Sequence, residues 1–472
     1  MSCHDQQGEA ARSSGPVSWP GKLPGAPTRW WLVLLVCWLG LVYLPDIGRG
    51  FLKDDFRWIA EGRIASFADL SRIVSGNLGF YRPLVTLTFS ANHALFGLHS
   101  YPYALTNLAG LVLCVWAIRR LALALGLAGT AATVACALWA LNFHGIGGSL
   151  LWISGRTSLL LTLFSVLAVT SWVRGQPLSA AAWLAAAVFS KEDAVVVPIV
   201  MALWSTLRGR FSEVLSRGAV ALLPLAIYVA ARQASGAFSY WNAPPYYTPT
   251  ADLGVVGTNV LQYLDRNATL SLATLALLCL AARTLPALDR DRRRLVVFGV
   301  AWAAVCQAPT LFLEARSSLY VLLPSVGIAI AAAAMAQTVW ERQSPRFRRN
   351  LLVAGTVLVV ASWPVYHARN LRLVRQAELS AATIAALGRL GDRATGRAIV
   401  LRDDPNARDN FASAFGALLP DVHRLVVPQA AGLRIEPAVQ TGPAAEPPRS
   451  DRPALEIVLN GGVVRCCGTA VD

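Results

Sequence analysis

The chain has 472 residues, of which 55% are hydrophobic and only 15% charged, with a mean hydropathy of +0.48. A water-soluble chain of this length would struggle to stay in solution with so little charge, so the composition argues against that class and points to a multi-pass membrane protein. The formal charge of +15 would suit nucleic acid if the cations shared one face, but they recur as short clusters between apolar runs, as topology signals do, and no nucleic-acid partner is expected.

Residues 1–29 form a polar tail with Arg12, Lys22 and Arg29, placed on the cytoplasmic side. The apolar run Trp30–Leu44 follows with no small-residue cleavage site after it, and reads as an uncleaved signal anchor. A polar loop, 45–100, leads to further apolar segments at Tyr101–Ile118, Gly129–Phe143, Ser158–Val173, Leu178–Ser190 and Ala194–Leu207. Gly218–Ala231, Ala268–Ala282, Leu295–Leu311, Leu319–Val339 and Leu351–Tyr366 complete a membrane region over 30–366 of about eleven spans. Arg119, Arg120, Arg174, Arg208, Arg210, Arg217, Arg283, Arg290, Arg292–Arg294, Arg342, Arg346, Arg348 and Arg349 all fall in alternate loops, which that excess marks as cytoplasmic. Loop 45–100 and residues 367–472 then lie outside, in the cell (inner) membrane of a bacterium-like chain rich in Ala and Arg. In 367–472, "RAIVLRDD" and "LEIVLNGGVVRCC" read as strands, "ARDNFASAFGALL" as a helix and Pro443–Pro453 as a linker. The expected fold is an α-helical polytopic membrane protein with a small C-terminal α/β extracytoplasmic domain. Cys37, Cys114, Cys136 and Cys279 lie inside apolar runs and suit packing, while the remaining cysteines show no metal-type spacing.

Chemistry-bearing residues gather on the outward loops. "SKED", Ser190–Asp193, joins two segments too short to cross comfortably, so Lys191, Glu192 and Asp193 fall in the outer half of the membrane, where ionisable groups usually serve function. A snorkelling loop is the structural alternative. In "FLKDDFRW", Asp54 and Asp55 could deprotonate an acceptor hydroxyl, ligate a divalent cation, or cap a helix in a solvated loop. Tyr81 and Arg82 of "YRP", His144, Trp152 and Arg156 of "NFHGIGGSLLWISGR", and Glu314, Arg316 and Tyr320 of "FLEARSSLYVLLPSVG" share that side. Each cluster alone suits an interface anchor; several on one face suit a site for an anionic lipid headgroup.

In that order, DD, YRPL with "LTNL", His with "WISGRTSLL", "SKEDAVVVP" and an E/R cluster before "LPSVG" resemble the GT-C membrane glycosyltransferases over about 51–330. The branch most similar is the O-mannosyltransferase-like one, with the transmembrane and tetratricopeptide-repeat mannosyltransferases and their bacterial relatives. That resemblance implies a polyprenyl-phosphate sugar donor and an inverting transfer outside the cytoplasm. It assigns Asp54, with Asp55 beside it, as the base or acceptor-orienting group, and Lys191, Arg82, Arg156 and Arg316 as cations for the donor phosphate. Tyr81, His144, Glu192 and Glu314 are supporting residues, and Asp54 with Asp55 is the pair to which any divalent cation would fall. Mannose is one candidate sugar; a protein, lipid or glycan hydroxyl is the acceptor. The chain departs from the family at "HGIGGS", with Gly145, Gly147 and Ser149 where Pro, His and Glu are usual, and at Leu319, where an Arg is usual. No tetratricopeptide pattern follows.

Two other classes compete. A lipid or glycan transporter or flippase would also carry intramembrane charge, but no inverted repeat of short, broken segments is visible and the charges crowd one face. A non-catalytic lipid-binding scaffold would suit the altered "HGIGGS" while leaving DD, YRP, GR and KE without a purpose.

Overall fold

The computed structural model describes residues 28–75, 79–238, 243–244, 247–404, 407–437, 454–460 and 463–467. Most of the expected N-terminal tail and the Pro443–Pro453 linker lie outside the described residues. The first apolar run is α1 (Thr28–Tyr43), and the loop after it is itself helical: α2 (Asp54–Glu61), α3 (Phe67–Ser75) and α4 (Pro83–Phe96) precede α5 (Ser100–Ala124). Pro83 at the start of α4 lacks only an N–H that a first turn leaves unpaired in any case.

α6 (Gly129–Ala140) and α7 (Phe143–Leu151) meet at a 62° bend. There Asn142 caps α7 by accepting from the His144 N–H at 3.3 Å. A 3₁₀ turn, Ile153–Gly155, runs into α8 (Arg156–Val173), followed by α9 (Pro177–Val188). A second 3₁₀ turn, Glu192–Val196, separates α9 from α10 (Val197–Leu207). α11 (Phe211–Ala234), α12 (Leu253–Ala282) and α13 (Arg290–Leu311) follow, then a 3₁₀ turn at Ser318–Val321, α14 (Leu322–Glu341), α15 (Pro345–Ala361) and α16 (Trp363–Leu390).

Each apolar segment expected from the sequence is helical, but the helices differ in length from one another. Among the described residues seven helices are long and apolar enough to cross a membrane, or eight if α6 and α7 together make one bent span. α1 and α9 are shorter apolar helices and α10 has 11 residues. The expectation of about eleven spans thus counts pieces that fall below a full crossing. The chain is a multi-pass membrane protein whose buried centre is α8 and α14, with α11, α12 and α15 turning Leu, Val and Ile outward toward the lipid.

α16 runs on from the last apolar segment into the C-terminal domain. Its sheet has the order β2-β1-β3-β4, from β1 (Ala398–Asp403), β2 (Gly432–Pro437), β3 (Leu455–Asn460) and β4 (Val463–Cys467). β1 pairs in parallel with β2 and β3, and β3 pairs antiparallel with β4. The continuous apolar run Ala398–Leu401 suits the central strand, which is buried on both faces. Arg402 on β1 ties its neighbours together, donating to Glu436 on β2 and Glu456 on β3, each at 2.7 Å. α17 (Phe411–Phe415) and α18 (Leu419–Val426) lie between β1 and β2 and pack toward α2 and α16.

Candidate active site

The site is built around α2. Two aspartates in its first turn face the positive end of the helix dipole, and Phe56, Trp58 and Ile59 bury its apolar side. Consecutive helical residues point about 100° apart, so the two carboxylates diverge. Asp55 turns inward and is fully buried. Its Oδ2 accepts from the Leu52 N–H at 2.8 Å, and its Oδ1 accepts from the Ser154 N–H at 2.6 Å and from the Ser154 hydroxyl. Burial pushes the Asp55 carboxyl up to about 7, against those hydrogen bonds.

Asp54 turns the other way, to the side of Trp58 one turn on. It is half-buried and makes no side-chain hydrogen bond or ion pair among the described residues. Burial raises its carboxyl above the ordinary carboxylate range, with the charges of Arg82, Arg57 and Lys53 opposing that rise. The two acids are therefore unlike: Asp55 holds the 3₁₀ turn of "WISGR" against α2, and Asp54 is left to face the site.

Arg82, at the start of α4, is buried and makes a two-point bond to Glu192, with Nε to Oε2 at 2.8 Å and Nη2 to Oε1 at 2.5 Å. Its guanidinium carbon lies 4.5 Å from the Phe80 ring centre and 6.0 Å from that of Trp58. The "YRP" and "SKED" loops, distant in sequence, are thus locked together, and the Leu84 N–H reinforces the contact by donating to the Phe189 carbonyl at 3.2 Å. Lys191 is only 4% exposed. Its Nζ pairs with Asp193 at 2.8 Å, approaches the Ser158 hydroxyl at 3.4 Å and stands 4.6 Å from the Tyr320 ring centre.

The other expected residues take different places. Arg156 is 2% exposed and its donors are engaged inside the protein. Nε donates to Asn107 Oδ1 at 2.8 Å, Nη2 to the Tyr103 carbonyl at 2.9 Å and Nη1 to Thr88 at 3.3 Å, over the Phe89 ring. It joins α8 to α4 and α5, so its expected place on a donor phosphate is corrected to a positioning one. Arg316 and Glu314 are exposed, and Arg316 makes no ion pair or side-chain hydrogen bond among the described residues. Tyr81 is buried and donates its hydroxyl to the Val74 carbonyl at 2.8 Å. His144 meets Arg369 of α16 at 3.3 Å and packs on Phe143. The Asp54–Asp55 pair does not suit a divalent cation, because both Asp55 oxygens already accept from protein donors. Among the described residues no group of three or more His, Cys, Asp or Glu could hold a metal ion.

Glycines of α7 pack against the turn at 318–322. A Cβ on Gly145 would stand 2.6 Å from Leu322, and one on Gly148 would stand 3.6 Å from Leu319. Glycines in α7 therefore admit the apolar side chains of the 318–322 turn. Gly155 of "WISGR" is required by space: a Cβ there would lie 2.5 Å from the Ser149 Cα. Sequence reasoning missed Asn107, whose amide donates to the Ser149 and Ile153 carbonyls at 2.9 Å each and whose oxygen accepts from Arg156. A polar amide inside the apolar run Tyr101–Ile118 was its signal.

No family model matches the chain, and no curated protein matches it in sequence. Among solved structures it is similar to ArnT from Cupriavidus metallidurans bound to undecaprenyl phosphate, at 15% identity over 76% of this chain and 72% of that one, with a TM-score of 0.45. It is similar to the same protein in the apo state at 15% identity over 77% and 72%, with a TM-score of 0.42. An Archaeoglobus fulgidus oligosaccharyltransferase tethered with an acceptor peptide containing the NVT sequon is 13% identical over 89% of this chain and 60% of that one, with a TM-score of 0.41.

Proposed function

We propose that the chain is a membrane glycosyltransferase that moves a sugar from a polyprenyl-phosphate donor to an acceptor hydroxyl on the extracytoplasmic face of the cell membrane, with its N-terminus cytoplasmic. The observation that carries this reading is the convergence, at one end of the helical region, of Asp54, a half-buried carboxylate with no side-chain hydrogen bond among the described residues, with the Arg82–Glu192 and Lys191–Asp193 pairs from other loops. A hydroxyl must lose its proton as it attacks the anomeric carbon, and a carboxylate held above its ordinary pKa by burial is suited to take it. The acceptor oxygen forms the new C–O bond while the bond from the anomeric carbon to the phosphate oxygen breaks. The electron pair leaves with the lipid phosphate, and the proton goes to Asp54.

Charge grows on the leaving phosphate, so nearby cations favour the transition state over the bound donor. Lys191, exchanging Asp193 for the phosphate, and the exposed Arg316 are the cations assigned to it. Arg82 fixes Glu192 and adds positive charge beside Asp54. Asp55 and Arg156 set the positions of α2 and α8.

The test is sugar transfer by purified protein from radiolabelled prenyl-phosphate sugars, mannose first, in wild type and Asp54→Asn. Loss of kcat by about 10³-fold in a folded variant is expected, in the range for a general base. Wild-type rate in Asp54→Asn would overturn the base assignment. Tight binding of the prenyl phosphate without transfer to any acceptor would favour the scaffold instead.

A further inference from the structure

The C-terminal domain touches the helix that carries Asp54 at the point where its backbone is strained. Lys53, the residue before α2, has φ 45° and ψ −116°, a conformation that glycine adopts readily and a lysine rarely does. Such a conformation persists where the surroundings over-determine it. Leu52 and Lys53 are held from several sides. The Leu52 carbonyl accepts from the Trp152 indole N–H at 3.2 Å and from the Asp55 N–H at 2.9 Å, and the Lys53 N–H donates to the Ala414 carbonyl of α17 at 3.0 Å. Ala414 lies in the last turn of α17, where a carbonyl has no intrahelical donor, and an N-cap N–H likewise has no intrahelical acceptor, so each group satisfies the other.

α17 is itself fixed. Asp403, at the end of β1, accepts from the Phe411 and Ala412 N–H groups at 2.8 and 3.2 Å, and Asn410 closes a capping box with Ser413. The buried Phe415 ring then packs on Phe56 of α2 with centroids 5.7 Å apart. α16 borders the same segment: a Cβ on Gly50 would stand 2.1 Å from the Ala377 carbonyl, so the backbone at Gly50 lies directly against α16. A rigid path therefore runs from the sheet through Asp403 and α17 to Lys53, one residue before Asp54.

We propose that the C-terminal domain is a positioning element for transfer, holding Lys53 in its left-handed conformation through Ala414 and Phe415 and thereby fixing where Asp54 stands. The proposal rests on the assignment of Asp54 as the base. Releasing the clamp frees a lysine to leave φ 45°, and with it the first turn of α2. A glycine at 53 has no such preference to leave.

The experiment compares Phe415→Ala in the wild-type and Lys53→Gly backgrounds, reading kcat and donor KM separately, with amide hydrogen exchange over residues 50–61 of the full-length protein. Phe415→Ala is expected to lower kcat about tenfold at unchanged donor KM and to speed exchange in that segment. In the Lys53→Gly background the same substitution should lower kcat by less than about threefold. Equal losses in both backgrounds, or unchanged exchange over 50–61, would overturn the proposal. Phe415→Leu carries the same comparison should the alanine variant fail to reach the membrane. Exchange is read without turnover, so it reports on the clamp even if Asp54→Asn proves active and the base assignment falls.

Discussion

The two ends of the helical region use the same residue types in opposite ways. At the Asp54 end, Arg82 meets Glu192 at 2.5 Å and Lys191 meets Asp193 at 2.8 Å, with Arg82 and Lys191 buried. At the other end Arg208 and Asp291 stand 3.6 Å apart, Arg210 and Glu213 3.5 Å, and Arg292 and Asp289 3.7 Å, on side chains that water reaches. Arginines at the second end are replaceable singly, because exposed pairs contribute little. At the first end Arg82 and Lys191 are withdrawn from water, so removing an acidic partner strands a buried cation.

The sharpest way to break the comparison is within α2 itself. Asp54→Asn is expected to cost about 10³-fold in kcat with thermal unfolding in detergent unchanged, because no hydrogen bond to its side chain is lost among the described residues. Asp55→Asn should do the reverse. Its amide oxygen could accept from Leu52 or from Ser154 but not from both, leaving an N–H group against the other donor and costing about 1–3 kcal/mol of stability with a smaller loss of rate. If Asp55→Asn is the variant that folds normally and fails to turn over, the two aspartates have been assigned the wrong way round. Arg156→Lys should also register in stability, by about 2 kcal/mol or more, since one ammonium cannot meet Asn107, Thr88 and Tyr103 at once.

The pH profile gives a signed test. Asp54 must be ionised to act as a base, and the positive charge of Arg82 favours its ionised form. Removing that charge in Arg82→Gln raises the Asp54 pKa further, so the acid limb of kcat should move to higher pH. A limb that stays in place, or moves down, would show that the titrating base lies elsewhere.

Much of this was legible in the sequence, and what was not has physical causes. Apolar length and loop charge are local, so the helices and the grouping of loops by end follow from them; Asp54, Arg82, Lys191 and Glu192 do converge. The number of full-length spans did not, because α1, α9 and α10 are as apolar as the long helices but shorter among the described residues. Which aspartate is buried depends on Ser154, 99 residues away, and which arginine is engaged depends on Asn107 and Glu192. The clamp at Lys53 left no composition signal at all, since a lysine at φ 45° looks like any other in sequence.

The smallest expected effect tests the other end. Arg292 and Glu341 approach to 2.5 Å, as close as Arg82 and Glu192, with side chains 25% and 34% exposed. Distance alone would rank the two pairs equal; exposure does not. In water-accessible surroundings the attraction is screened and holding two long side chains in one geometry costs entropy, so Arg292→Gln should change stability by less than about 0.5 kcal/mol. Transfer should stay within about twofold of wild type, since Arg292 lies away from the site. Raising the salt concentration should shrink even that difference, whereas the loss in Arg82→Gln should persist, because the Arg82 side chain is only 9% exposed and its interactions are screened far less. Comparable losses from the two arginines would show that burial does not separate the two ends.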